Sequence, residues 1–398
     1  MMKRWMTQFL LLTCLALPLV SHNPGAFAAT PASASSYLIT NDDLARGSSD
    51  TATFFTIAAN GMLSNPTLVS VGGIGTGGGF FAANRVSVLN NATSSCAYFS
   101  AGSSNTIAGV EILTQTVVGD FPASATDSGA DNGVGMVMNS SYLYASFSSS
   151  ATIATFAVQP GCGLQFLSDI SPAGLNGGTT KGMALYGNLL VVTYGDGSIQ
   201  SFDISGGVPV ANVDEQNATG FASDDYPDGV DITQDGHYAI FGDASSAGAV
   251  EVSDISSGQL THTVFYSVSA GISSGFNSNN VRLSPDGTLL YIANNSSGQV
   301  TAAFFNKTTG KVTPGCISPQ LNGFDSTFSF LSSPVMQLPT GTGSVLYVAE
   351  FGQPSSIAVI NVSVSGGRCT LTEASGSPVS DPNSQSLLSV GVYPPRPF

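Results

Sequence analysis

Residues that cover helix surfaces are scarce in this chain, which has four lysines and five glutamates among 398 positions. Long solvated helices normally present Lys and Glu to water, so the composition argues against an α-helical fold. Ser, Thr, Asn and 46 glycines stand in their place, a composition that suits strands and tight turns. Basic residues of either kind number 10 against 25 acidic ones, and a net charge of −15 repels the phosphates of nucleic acid. Histidines number three and no Cys-x-x-Cys spacing occurs, which leaves a structural zinc site without its usual ligands. The glycine run Gly72–Gly79 lacks the Lys-Ser/Thr ending of a phosphate loop, so it reads as a flexible connection. Hydrophobic residues nevertheless make up 42% of the chain, with 23 Phe and 12 Tyr, enough to fill a large core.

The first 28 residues read as an export leader. Lys3 and Arg4 precede an apolar run from Phe9 to Val20, and Ala26-Phe27-Ala28 offers small residues for cleavage. That run is shorter than the roughly 20 residues a spanning helix needs, and no later segment is long and apolar enough to cross a membrane. The expected organisation is a signal peptide over 1–28, a short linker over 29–36 and one repeat domain over 37–398, periplasmic or extracellular. The exported part keeps four cysteines, an even number that admits disulfides in an oxidising compartment.

One phrase recurs along the rest of the chain. Its clearest copy runs from Val281 through Ser284-Pro-Asp-Gly287 to Leu289–Ala293, then Gln299–Phe305, then Thr309-Gly-Lys311. Pro presets the turn and Gly accepts the positive φ that closes it, so the phrase reads as four antiparallel strands joined by short connections. The second strands of successive copies begin near residues 37, 97, 142, 189, 238, 289 and 345. That spacing is propeller-like, and a β-sandwich has no reason to repeat an ordered phrase. The copy at residue 37 lacks its first strand, whereas Leu387–Val392 forms an orphan strand at the end. The two halves complete each other. The predicted fold is therefore all-β: a seven-bladed propeller closed by pairing of its terminal strands, expected to be monomeric.

Ser284-Pro-Asp-Gly287 with Leu290-Tyr-Ile-Ala-Asn294, echoed by Val345-Leu-Tyr-Val-Ala349, resembles the YVTN-type repeat of the seven-bladed lactonase-like propellers. The resemblance covers essentially the whole exported chain and concerns strand and turn grammar, which specifies fold rather than chemistry. It implies a site at one mouth of the central channel, where catalytic members carry His, Arg and Glu. The corresponding positions here are Asn84 and Arg85, Asp131 and Asn132, Lys181, Asp228 and Asp231, Asn280 and Arg282, and Ser332 and Ser333. No histidine is among them: His237 follows an Asp-Gly turn at the far end and His262 sits on an outer strand.

Two functional readings follow. The leading one is a binding or scaffold module that takes a small molecule or a protein at the channel mouth, using Arg85, Asn132, Asn280 and Arg282. The alternative is a lactonase-like enzyme for a small anionic, sugar-type lactone. In it Lys181, Arg85 and Arg282 supply positive charge for an oxyanion, while Asp228 or Asp231 accepts a proton from water. Against both, neighbouring Arg and Asp on inner strands also neutralise one another with no ligand at all. No cofactor is expected; calcium is the one ion the loops admit, through Asp127, Asp131 and the stretch 224–235. Cys96 and Cys162 fall toward one rim of adjacent blades and are the expected disulfide. Cys316 and Cys369, also in adjacent blades but nearer opposite ends of their outer strands, are the second candidate pair.

Overall fold

Each second strand of the repeat is apolar at consecutive positions, which a strand tolerates only when both its faces are covered. In the computed structural model that covering comes from the neighbouring blades. Leu189–Tyr194 and Leu289–Asn294 are buried at every residue. Outer strands such as Thr116–Pro122 and Thr261–Ser267 are largely exposed. The structure describes residues 35–395 except 45–46, 78–83, 130–132, 173, 175–177, 213–226, 244–248, 269–277, 295–296, 325–329, 332–335, 341–342, 352–353 and 386.

Seven antiparallel sheets follow one another around a ring. Blade 2 runs from its innermost strand Val86–Asn90 outward through Ser95–Ala101 and Thr106–Glu111 to Thr116–Pro122. Blades 3, 4, 5 and 6 repeat that order, with innermost strands Val134–Met138, Thr180–Tyr186, Pro227–Ile232 and Ser278–Leu283. Blade 7 carries Met336–Thr340 innermost, then Gly343–Phe351, Ser355–Ser365 and Arg368–Glu373, with two short additions, Phe330–Leu331 and Val379–Asp381. Each innermost strand enters from one face of the ring, here called the leading face. Each second strand returns to that face.

Blade 1 is built from both ends of the chain. Tyr37–Thr40, Ser49–Ile57 and Leu63–Ile74 are its outer three strands, and Val390–Tyr393 is its innermost. Tyr37 lies opposite Tyr393 and Thr40 opposite Val390. The closing strand thus starts three residues later than the expected Leu387, whose side chain instead lies in the apolar cluster between blades 7 and 1. Gly72, Gly73 and Ile74, expected in a flexible connection, belong to the outer strand of blade 1.

The core is divided into seven clusters, one per boundary between neighbouring blades. Phe54, Phe99 and Val110 fill the boundary between blades 1 and 2, whereas Leu289, Tyr291, Leu346 and Ile360 fill that between blades 6 and 7. A tyrosine within the second strand reaches the third turn of the next blade. Tyr144 Oη donates to the Gly207 carbonyl at 2.7 Å and Tyr347 Oη to the Gly61 carbonyl at 2.5 Å. The latter bond crosses the seam between blades 7 and 1. The Pro-Asp-Gly turn forms as its residues dictate: Gly287 N donates to the Ser284 carbonyl at 2.8 Å with Gly287 at φ +68°.

Two disulfides staple adjacent blades. Cys96 joins Cys162 between blades 2 and 3, with Cα atoms 5.4 Å apart. Cys316 joins Cys369 between blades 6 and 7, with Cα atoms 5.5 Å apart, Cys316 standing near the end of Val312–Ile317 and Cys369 near the start of Arg368–Glu373, as expected. A bulge precedes Cys316: Ala302 faces Cys316 while Ala303 faces Pro314, leaving Gly315 as the extra residue. The expected signal peptide lies outside the described residues. No helix among them is long and apolar enough to cross a membrane.

Candidate functional site

The innermost strands enclose a channel with a cavity of about 640 Å³. Its wall is mostly apolar, with Met136, Met138, Met183 and Leu283 in it and Asn90, Asn139 and Gln234 among its polar lining. Two lining residues are charged: Asp231 of blade 5 and Arg282 of blade 6. Arg282 Nη1 lies 3.4 Å from Asp231 Oδ1, and the Arg282 side chain keeps 18% of its surface exposed. Asp231 is held firmly, its Oδ2 accepting from Leu283 N at 2.8 Å and its Oδ1 from Ile232 N at 3.0 Å. Both residues stand one position before the end of their strands, away from the leading face.

Lys181 and Asp228 occupy the other end of the same wall, and a bulge in each strand places them. The ladder of blade 4 shifts between Thr180 and Met183, and that of blade 5 between Pro227 and Val230. Each bulge holds a charged residue followed by glycine, Lys181-Gly182 and Asp228-Gly229, and glycine within a strand commonly marks such a site. Gly182 has a close-approach reason as well: a Cβ there would lie 2.1 Å from the Asp228 carbonyl oxygen. Freed from the ladder, Lys181 Nζ reaches Asp228 Oδ1 at 2.5 Å across the blade boundary. Both side chains are about nine-tenths buried. Burial pushes the Asp228 carboxyl up, Lys181 draws it down, and the net shift is upward.

The expected single set of mouth residues therefore divides in two. Asp228 and Asp231 are separated by about 7–10 Å along a bulged strand, given a rise near 3.3 Å per residue. The Lys181 pair and the Arg282 pair accordingly face opposite ends of the channel. Arg85 stands apart from both: it is 1% exposed, and its guanidinium is paired with Asp43 of blade 1. Asn280 is 8% exposed. Asp131, Asn132, Asp224, Asp225, Ser332 and Ser333 lie outside the described residues.

Among the described residues, no group of three His, Cys, Asp or Glu side chains converges as metal ligands would. Asp127 instead accepts from Thr152 Oγ1 at 2.5 Å and Ser124 N at 3.1 Å, shaping its loop. His237 is exposed beside Asp235 at the turn away from the leading face.

A set of buried acids at the leading face escaped the sequence reading. Asp42, Asp50 and Glu350 are each no more than 1% exposed, and burial is the main cause raising each to about 7. Asp42 lies in the corner after Tyr37–Thr40 of blade 1 and Asp50 at the start of the next strand, Ser49–Ile57, while Glu350 falls near the end of the second strand of blade 7. Their common signal was position, since each closes or follows a second strand where the neighbouring blade covers it.

No family model matches the chain, and no curated protein matches it in sequence. Solved structures share its architecture. A protein from Bacteroides fragilis provisionally assigned as a 6-phosphogluconolactonase is 13% identical, with a TM-score of 0.67 over 92% of this chain and 99% of that one. A similarly assigned protein from Bacteroides uniformis is 12% identical, with a TM-score of 0.64 over 90% of this chain and 99% of that one. The periplasmic gluconolactonase of Pseudomonas aeruginosa is 16% identical, with a TM-score of 0.53 over 70% of this chain and 80% of that one. At these identities the likeness shows a shared fold, the seven-bladed propeller.

Proposed function

We propose that the chain is an exported, monomeric propeller that hydrolyses a small anionic, sugar-type lactone inside its channel. The observation that carries this reading is the Arg282–Asp231 pair, the charged feature of an otherwise apolar and amide-lined cavity. Its contact of 3.4 Å is loose for a charge-assisted hydrogen bond, and Arg282 retains exposed surface, so guanidinium donors remain for a ligand. Arg282 would hold the anionic substituent or the developing oxyanion, while Asp231 takes a proton from the attacking water. Water adds to the lactone carbonyl, the ring C–O bond breaks, and the hydroxy acid leaves as a carboxylate with release of one proton. Lys181, Asp228 and Arg85, in this reading, hold adjacent blades in register. The fold shared with proteins described as 6-phosphogluconolactonases and as a periplasmic gluconolactonase supports the substrate class. The gluconolactonase and the leader-like N-terminus support export.

A second reading, binding without turnover, is favoured by one specific observation. All three cations expected at the channel are already matched by acids: Arg85 by Asp43, Lys181 by Asp228 and Arg282 by Asp231. The deciding experiment presents glucono- and 6-phosphogluconolactone with a pH indicator and titrates the hydroxy-acid products by calorimetry. Turnover lost in Arg282→Met and in Asp231→Asn supports hydrolysis, whereas product binding without turnover supports the binding module. Neither heat nor proton release from any sugar lactone or aldonate would remove both.

A further inference from the structure

The seam that closes the ring holds two carboxyl groups with no counter-ion among the described residues. Asp42 stands at the corner after Tyr37–Thr40 of blade 1, and Asp381 ends the short strand Val379–Asp381 of blade 7; both are fully buried. Hydroxyl groups surround them. Thr40 Oγ1 donates to Asp42 Oδ1 and Thr51 Oγ1 to Asp42 Oδ2, each at 2.7 Å. Thr53 Oγ1 lies 3.2 Å from both Asp42 oxygens and 3.4 Å from Asp381 Oδ1. A hydroxyl has one hydrogen, so Thr53 can satisfy only one of these acceptors. Asn383 N donates to Asp381 Oδ1 at 3.2 Å, and Asp381 Oδ2 has no partner.

We propose that Asp42 and Asp381 share one proton, and that this proton latches the closing strand of the propeller. Two ionised carboxylates in a dry site without a cation would repel; one shared proton removes that repulsion and supplies the missing donor. The latch acts on the closing strand through the backbone. The Asp42 carbonyl accepts from Ser384 Oγ at 3.2 Å and Gln385 N at 3.1 Å, suspending the segment that leads to Val390–Tyr393. That strand supplies the innermost edge of blade 1 and part of the channel wall.

The other acids near the seam each have a donor or a cation of their own, although burial raises Asp50 and Glu350 as well. Asp43 pairs with Arg85, Leu44 N and Thr51 N donate to Asp50, and Ser356 Oγ donates to Glu350. Asp381 is the charged group that acts on Asp42, and the two titrate together. Burial first and Asp381 second raise Asp42 to about 7, and burial raises Asp381. The sign follows: an acid raised in the folded state stabilises fully below its unfolded value, and the benefit is lost as pH climbs through the folded value. The latch is closed in acid and released above neutrality.

The test is hydrogen exchange of the full exported chain at pH 5.5 and pH 8.5, read at residues 390–393 after correction for intrinsic rates. One shared proton changes a local opening equilibrium by up to about tenfold per pH unit between the two titration values. Exchange at the closing strand should therefore rise on the order of tenfold or more in the wild type. In Asp42→Asn, and independently in Asp381→Asn, a fixed amide donor replaces the proton and the pH dependence should fall below about twofold. Either variant suffices if the other does not fold. A pH-independent wild type, or pH dependence retained in the asparagine variants, overturns the proposal. Protection at pH 8.5 restored by calcium and abolished by a chelator also overturns it, because a cation would then hold the pair. Lactone turnover is scored separately and has no bearing on the result.

Discussion

Replacing Arg85 by Met should destabilise the propeller and leave ligand affinity at Arg282 unchanged. The Arg85 guanidinium is buried and paired with Asp43 across the boundary of blades 1 and 2. Removing it leaves Asp43 buried with only Thr76 as donor, at 2.8 Å from the backbone N and 2.9–3.1 Å from the hydroxyl. Asp50 is close enough for the Asp43 charge to raise it. Breaking one side of a buried pair costs about 3–5 kcal/mol, roughly a 150- to 5,000-fold change in the folded-to-unfolded ratio. The pair itself is worth far less, since two guanidinium nitrogens, Nε and Nη2, have no partner. Arg85→Met with Asp43→Asn should recover most of the loss, leaving less than about 2 kcal/mol. Urea unfolding followed by circular dichroism measures all four corners of the cycle, since the sole tryptophan, Trp5, falls in the expected leader. A single variant within about 1 kcal/mol of wild type, or a double variant no better than the single, would refute the reasoning.

Two further outcomes test how the ring is held. Tyr347→Phe removes the hydroxyl bonded to Gly61 across the seam and should cost about 1–3 kcal/mol, with Tyr144→Phe comparable at its own boundary; an unchanged urea midpoint in both would contradict the latch role of these tyrosines. Reduction opens chain loops of 66 and 53 residues, each worth about 4 kcal/mol in the chain-entropy account, so reductant should lower the urea midpoint markedly. Four free thiols in an unreduced exported sample would end that expectation.

The wheel was readable because a ring places every blade in the same environment, so the sequence repeats what the environment demands. The consecutive apolar residues of Leu289–Asn294 and the Pro285-Asp286-Gly287 turn state their local roles without reference to distant residues. Blade 1 was readable for a related reason: a strand missing at Tyr37 and a strand spare near Val390 have one economical resolution. The site was less readable because it depends on local departures from that repeat. Bulges at Lys181 and Asp228 carry those residues out of the ladder, and Asp231 falls toward the other end of the channel. A linear reading placed them together at one mouth. Asn41-Asp42-Asp43 carries no local sign of burial, because part of what buries it comes from residues more than 300 positions away.

The most direct measurement of the central claim is a crystal structure of the exported chain soaked with gluconate or 6-phosphogluconate. The account predicts the carboxylate or phosphate of the ligand within hydrogen-bond reach of the Arg282 guanidinium, with its reacting carbon beside Asp231. A ligand seated elsewhere, at the Lys181 bulge or on the outer rim, with Arg282 still turned to Asp231, would contradict it.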